Sequence, residues 1–511
     1  MNKSIKLIVS VALVFGSLTA CQLEETLLDS VVQEDFTLDP GSVDPETALD
    51  PIYNSMSVAL NGQTSVTALT FHSSDELMGP TRGTDWFDFG VWTTLHTHQW
   101  DPTHPEVLNA WNNLHQGVTR ANLAIGNTTG TPQAQATVLR AYLMWHLVDL
   151  FGQVPFREVD NTDFVSPPDV LTRADATARI IADLESAIAS DDLPSKADGV
   201  YDLPTVEAAQ AILARVLLNK FIYEGSADAA SADMAAAMAA CDAVINSGQF
   251  SLATNYFVDN FGVDNQNSPE SILVLRNESG DNRGAPFGSR YYMTLHYNQN
   301  PGGWNGFTTL SDFYSKFDQS DARFYGAPTE SMASNSGLHF GFLEGQQVNS
   351  SGDDLTQRDG NPLAFSADVP ISGASEEKGI RVIKYEPDYA GALDNPPTDY
   401  PLIRYADVIL MKAEAAWRSG DNGTALSLIN EVRAARELAD ITSISADGQE
   451  ILDERGFEFY WEGIRRTDLI RFGKFNEAWN EKPASDPSRN LFPIPQPAVD
   501  TNPNLAQNDG Y

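Results

Sequence analysis

Tyr405-Ala406-Asp407-Val408-Ile409-Leu410-Met411-Lys412-Ala413-Glu414-Ala415-Ala416-Trp417-Arg418 is the stretch on which the fold turns. Tyr405, Val408, Ile409, Lys412, Ala413 and Ala416 recur at i, i+3 and i+4 and so share one face of a helix. Ser419-Gly420-Asp421 then turns the chain into a second helix that runs through Arg436. Small alanines let two such helices approach closely. A helix pair that cannot bury its face alone needs further pairs stacked on it. That is the signature of a tetratricopeptide-like array, here with an irregular period.

Toward the amino terminus the same periodicity returns. From about 107 to 150 the pattern is helical, with Leu139, Tyr142, Leu143, His146, Leu147 and Leu150 on one face. Thr131-Pro132 supplies the break and restart of a helical hairpin, threonine as a cap and proline in the first turn. Further helices are expected near 172–190, 204–224 and 231–247, the second with a buried stripe of Ala209, Ile212, Leu213, Val216 and Leu217. Between 255 and 400 the period stops. Sixteen of the 36 glycines fall there with many Asn, Ser and Asp, which predicts a loop-rich subdomain with a few short strands. Helices are expected to resume at Tyr400. The chain therefore reads as mainly α: helical repeats forming a scaffold around an irregular insert. Its parts are 1–20, 21–254, 255–399 and 400–511, the last three packed as one globular unit.

Composition narrows the function. The 511 residues, 42% apolar and 10% aromatic, suit a large folded core. Seventy acidic against 32 basic residues leave a formal charge of −38, which repels polyanions and excludes a protein built to grip nucleic acid. Two cysteines, Cys21 and Cys241, exclude a disulfide scaffold and a cysteine-based zinc cluster. Cys241 reads as a small apolar residue buried on a helix. Neither a dinucleotide fingerprint, a phosphate loop nor a Gly-x-Ser-x-Gly elbow occurs, and no cofactor is expected. His96, His98 and His104 form one metal-like cluster, and alternation would put His96 and His98 on one face. Nothing completes a metal shell, so a hydrogen-bonded structural role is expected and metal is not.

Residues 1–20 carry Lys3 and Lys6, then an apolar run from Leu7 through Leu18, and end in Leu18-Thr19-Ala20-Cys21. The run is a secretory signal, too short to cross a bilayer comfortably, and its end resembles a bacterial lipobox. Cleavage before Cys21 would leave that thiol to carry a diacylglyceryl anchor, with the freed amine usually acylated too. Losing the two lysines takes the charge from −38 to −40. Gln22-Leu23-Glu24-Glu25 looks like the acidic signal that sends Bacteroidetes lipoproteins to the outer face of the outer membrane.

The tail carries ordered motifs: Tyr400-Pro401-Leu402-Ile403-Arg404-Tyr405-Ala406-Asp407, Ala425-Leu426-Ser427-Leu428-Ile429-Asn430-Glu431-Val432-Arg433, Glu462-Gly463-Ile464-Arg465-Arg466-Thr467-Asp468-Leu469-Ile470-Arg471 and Leu491-Phe492-Pro493-Ile494-Pro495-Gln496. Trp111-Asn112, Arg120-Ala121-Asn122 and Gly152-Gln153-Val154-Pro155 extend the pattern into the first half. Together they closely resemble the SusD/RagB family over nearly the whole mature chain, most weakly over 255–400. The resemblance implies a surface lipoprotein that captures glycans and sits as a lid on a TonB-dependent outer-membrane transporter of the SusC type, with the helical repeats facing that partner.

Sugars present hydroxyl rims and apolar C–H faces, so a neutral glycan site needs exposed aromatic platforms edged by Asp, Asn, Gln or Arg. Trp111, Trp145, Trp417, Trp461 and Trp479 lie on or beside helices and read as core; Trp86, Trp92, Trp100 and Trp304 do not. Trp86 follows the turn-rich Pro80-Thr81-Arg82-Gly83-Thr84-Asp85, where Asp85 and Arg82 could bond hydroxyls beside the ring. Trp304 lies in Asn300-Pro301-Gly302-Gly303-Trp304-Asn305-Gly306, whose glycines and proline leave its faces uncovered. These two lead the candidates; Tyr291, Tyr292, Phe307 and Trp92 are secondary. Loops from about 70–105 and 280–310 are expected to meet at a shallow site. Asp75-Glu76 and Arg404 are weaker candidates, the former read as a solvated pair, and Arg465, Arg466 and Arg471 as structural partners of acids such as Glu462. Binding is expected without turnover, with neutral glucans or fructans preferred. The alternatives are an outer-membrane glycoside hydrolase using paired carboxylates, and a purely structural surface protein.

Overall fold

A computed structural model describes residues 44–511, apart from 46, 162, 164, 278–289 and 391–396. The signal segment and the Cys21 lipidation site lie outside the described residues.

Helices Asp50–Leu60, Pro105–Asn127, Thr131–Leu150, Arg173–Ala189, Val206–Tyr223 and Ser231–Asn246 pack each on the next along the chain. Local chemistry sets their starts. Thr172 and Thr205 accept from the backbone N–H of Asp175 and Ala208, and Asp421 from that of Thr424, so orphaned N–H groups find partners. The restart at Thr131 works differently from the expected threonine cap. The capping position is Gly130, while the Thr131 hydroxyl donates to the Asp192 carbonyl, 2.9 Å away. Thr131–Leu150 is buried on nearly all sides from Ala134 onward, because helices 105–127 and 173–189 cover it from two directions.

Helix Tyr405–Arg418 packs on Ser231–Asn246 as well as on its own partner Asn422–Ala435. The insert therefore interrupts the sequence of the stack and not the stack. Tyr400–Arg404, expected to begin a helix, is instead a fully buried strand antiparallel to Ser271–Leu275, with Tyr400 opposite Leu275 and Arg404 opposite Ser271. This ladder joins one end of the insert to the other. Between them lie short strands, among them Phe340–Leu343 flanked by Arg381–Ile383 and Tyr325–Gly326.

Charge is buried in pairs where scaffold and insert meet. The Arg404 guanidinium donates to Glu270 at 2.7 Å, Glu458 at 2.9 Å and Glu462 at 2.7 Å. Arg436 donates to Glu270 and Glu458, and Arg323 to Asp321, Glu454 and Glu458. Asp75 and Glu76 are buried, not solvated: both oxygens of Asp75 accept from one edge of Arg465, Nε at 2.7 Å and Nη2 at 2.8 Å. Arg466 pairs with Asp149 and Arg471 with Glu414 and Asp468. The expected structural pairing of these arginines holds, but Glu462 serves Arg404 and Lys384 instead. Cys241 is buried on its helix, and burial pushes its thiol well up. Among the described residues no helix is long and apolar enough to cross a membrane.

Candidate binding site

A two-residue ladder positions the site. Leu77 and Met78 pair antiparallel with Thr309 and Thr308, which brings the loop after Met78 against the loop before Thr308. The Thr81 N–H donates to Ile371 and the Ala374 N–H donates back to Thr81, tying the first loop to a third segment. Arg82 and Asp85 exchange backbone hydrogen bonds of 2.9 and 3.0 Å and close a tight turn, from which Trp86 emerges at a φ of +60°.

The Trp86 indole runs along the facing loop. Its Nε1–H donates to the Trp304 carbonyl at 2.8 Å, and a Cβ at Gly306 would lie 2.3 Å from the ring, so only glycine allows this approach. Gly303 is similarly confined, with the Leu295 carbonyl 2.2 Å from where its Cβ would stand. Trp304 is 44% exposed, and one face of its ring stacks on Tyr292 with centroids 5.7 Å apart and planes 20° from parallel. Trp86, Tyr292 and Trp304 thus form a partly open aromatic surface.

Three of the expected contact residues lie beneath it. Phe307, 1% exposed, packs 4.9 Å under Trp86 and 4.3 Å from His72. Trp92 is on helix Val91–His96, buried 5.3 Å from Phe307, with its Nε1–H donating to Asp88. Tyr291 is buried behind Tyr292, and Trp100 is buried with its indole N–H on the Tyr511 hydroxyl. Their faces are taken by protein, so they brace the surface and offer no ring to a ligand. Arg82 is also buried. Its guanidinium donates to the carbonyls of Ser375 and Lys378, and so holds loops together in place of reading hydroxyls.

Asp85 is half-buried beside Trp86. Its Oδ2 accepts from the Tyr297 hydroxyl at 2.7 Å and from Arg358 at 3.2 Å. Arg358 lies over the Tyr297 ring, 4.2 Å from its centroid, and pairs with Glu376. Burial would raise the Glu376 carboxyl, but the N–H and guanidinium of Arg358 outweigh it and bring it down to about 2. Sequence reasoning missed Tyr297 and Arg358. Tyr297 stands seven residues before Trp304 and was within reach of the same loop argument; Arg358 is 273 residues from Asp85 and has no local signal. Phe87, 55% exposed, and Phe89, 97% exposed, stand one and three residues after Trp86.

The histidines do not converge. His96 bonds the Asn480 carbonyl, His98 bonds Ser485 and the Ser73 carbonyl, and His104 bonds the Val91 carbonyl. His96 ends a helix and His98 follows it at a φ of +57°, so the strand-like alternation does not apply. Among the described residues no group of three or more His, Cys, Asp or Glu side chains is placed to hold a metal ion.

A helical-repeat scaffold that carries a loop-built, partly exposed aromatic surface defines a class of binding proteins. A family model described as "SusD family" matches residues 246–511, and the chain belongs to that family. A second model, described as "Starch-binding associating with outer membrane", matches residues 28–218 and places the chain among outer-membrane-associated proteins. The chain is 26% identical over 468 residues to the starch-binding protein SusD of Bacteroides thetaiotaomicron, covering 82% of this chain and 81% of that one. In fold it is similar to a laminarin-binding SusD-like protein, with a TM-score of 0.70 and 21% identity over 92% of this chain and all of the other. It is similar also to surface glycan-binding protein A of Bacteroides thetaiotaomicron in complex with laminarihexaose, with a TM-score of 0.65 and 18% identity over 91% and 98% of the two chains.

Proposed function

We propose that the chain captures a neutral polysaccharide or oligosaccharide, a glucan or fructan, at the outer face of the outer membrane and passes it uncleaved to a TonB-dependent transporter of the SusC type. Lipid on Cys21 would anchor it there. The observation that carries this reading is the Trp304 ring, 44% exposed and backed on one face by Tyr292, tied through its carbonyl to the Trp86 indole, with Asp85, next to Trp86 in the chain, joined to Tyr297 and Arg358 as a polar cluster. A flat apolar face with polar groups at its rim matches the two sides of a sugar. The relatives support a glucan: starch and laminarin, named for two of them, are both uncharged glucose polymers. A surface at −38 disfavours uronate and sulfated chains.

Capture without cleavage is supported by the state of the nearby acids. A glycosidase needs one carboxyl that holds a proton at working pH. Glu376, at about 2, is ionised and committed to Arg358, and the Asp85 Oδ2 already accepts two hydrogen bonds.

Titration calorimetry or affinity electrophoresis with laminarin and starch tests the reading. Trp304→Ala and Trp86→Ala should each weaken binding about tenfold, or roughly 1.4 kcal/mol. The melting temperature of Trp304→Ala should stay near wild type, since its ring is half exposed. Undiminished affinity in both variants ends the site assignment, and sugar released on long incubation ends the assignment as a capture protein.

A further inference from the structure

The loop that presents Trp304 has a second side. Asn298, Gln299 and Asn300 form one wall of a cavity of about 240 Å³, closed opposite by Asn335, Leu338 and Asn349 and their neighbours. None of its lining residues is charged. In a chain with 70 acidic residues that is a local exception, and the larger cavity of about 670 Å³ shows the contrast, since Asp259, Asp264, Glu330 and Glu386 line it. Amides and hydroxyls over an apolar floor suit a neutral polyol: an amide offers donor and acceptor together, and Leu338 supplies a surface for C–H groups.

The walls are fixed. The Asn300 side chain donates across to the Asn335 carbonyl at 2.6 Å, Asn298 to the Thr356 carbonyl at 2.7 Å, and Gln299 to Gln347 at 3.1 Å. The Gly303 N–H closes the loop on the His296 carbonyl at 3.1 Å. Trp304 is four positions after Asn300, so even a fully extended chain would set them no more than about 14 Å apart.

Resting on the reading of Trp86 and Trp304 as a glycan platform, we propose that this cavity is a further sugar subsite. It takes one uncharged residue of the same oligosaccharide, a chain continuation or a branch, while the platform holds its neighbours. Its volume is below that of pockets for larger ligands, which matches a single ring.

Calorimetry on the full chain with laminari- and malto-oligosaccharides of two to six units tests the proposal. Ser350→Trp and Asn335→Trp plug the mouth from two walls at exposed positions. The wild type should bind longer chains more tightly. Each plug should cost the six-unit ligand about tenfold and leave the two-unit ligand unchanged, while Trp304→Ala weakens every length. Plugged variants that bind all lengths like wild type overturn the subsite and leave the platform standing. Plugs that weaken the shortest ligand equally also overturn it, because they then act on the platform. No binding of either series by the wild type, or no effect of Trp304→Ala, removes the platform and the subsite with it.

Discussion

A Cβ at position 306 would sit 2.3 Å from the Trp86 ring and 2.6 Å from the Met293 carbonyl, so Gly306→Ala must displace the indole or the helical turn that ends at Met293. Overpacking of this kind costs about 1–3 kcal/mol. The variant keeps both tryptophans and should still bind laminarin or starch as weakly as Trp86→Ala does, with a lower melting temperature. Wild-type affinity in Gly306→Ala, measured by calorimetry, would show that the seat of the ring is immaterial. The same residue marks how far a single chain can be read. Glycine and proline around Trp86 and Trp304 signal loops, and loops expose rings. Phe307 shares that loop and is buried, because His72 and Trp92 arrive on it from more than 200 positions away. Local composition reports that a segment is irregular; it says nothing about which side chain turns inward.

Among the elements, helices of 14 to 23 residues are legible because their period repeats often enough to be seen, and the helix pair 405–418 and 422–435 turns at the glycine its sequence offers. The five-residue strand Tyr400–Arg404 was not, since a short apolar run carries no period and sits directly against a helical one. Its last residue has the most to lose. Removing the Arg404 guanidinium leaves Glu270, Glu458 and Glu462 buried with one countercharge fewer, and breaking such a pair typically costs about 3–5 kcal/mol. Arg404→Met should therefore lower the melting temperature sharply. Arg404→Lys should recover little, because an ammonium cannot serve three carboxylates on different edges as the planar fork does. Glycan affinity of the folded fraction should be unchanged in both, since the network lies between helix and strand and not under the platform. A Lys variant that melts like wild type would show that charge alone, without the fork, holds this junction.

For the molecule as a whole, pH dependence follows from what is buried. His96 is brought down to about 4, His115 and His146 to about 3 and His98 to about 2, all chiefly by burial, from an ordinary value of 6.5. Below 6.5 the unfolded chain therefore binds protons that the folded chain refuses, and stability falls as pH falls. Glu414 and Asp407 join at lower pH: burial would raise them, but Arg471 and Arg418, and Arg215 and Arg455, hold both near 2, so their contribution is lost on acidification from their ordinary range. Glu76 runs the other way. Burial pushes it up to about 8, Asp75 beside it adds to the rise, and Arg465 and Lys384 offset only part. Between 4.5 and 8 the folded chain keeps a proton on Glu76 that the unfolded chain has released, so this one group destabilises the fold as pH rises. Each proton of difference is worth about 1.4 kcal/mol per pH unit, and several histidines outweigh one glutamate below 6.5. Lys384 and Lys482, each brought down to about 8 chiefly by burial, offset Glu76 as pH nears 8, so stability should climb through neutrality and level off toward pH 8. In Glu76→Gln the offset should vanish and stability should climb more steeply toward pH 8, because the amide has no carboxyl proton to hold and can still accept from the Trp461 N–H that now bonds the carboxyl. Urea unfolding of both proteins at pH 5 and pH 8 reads the difference directly: the variant should gain on wild type at the higher pH, and an equal gap at both would mean that Glu76 stays ionised in the folded chain.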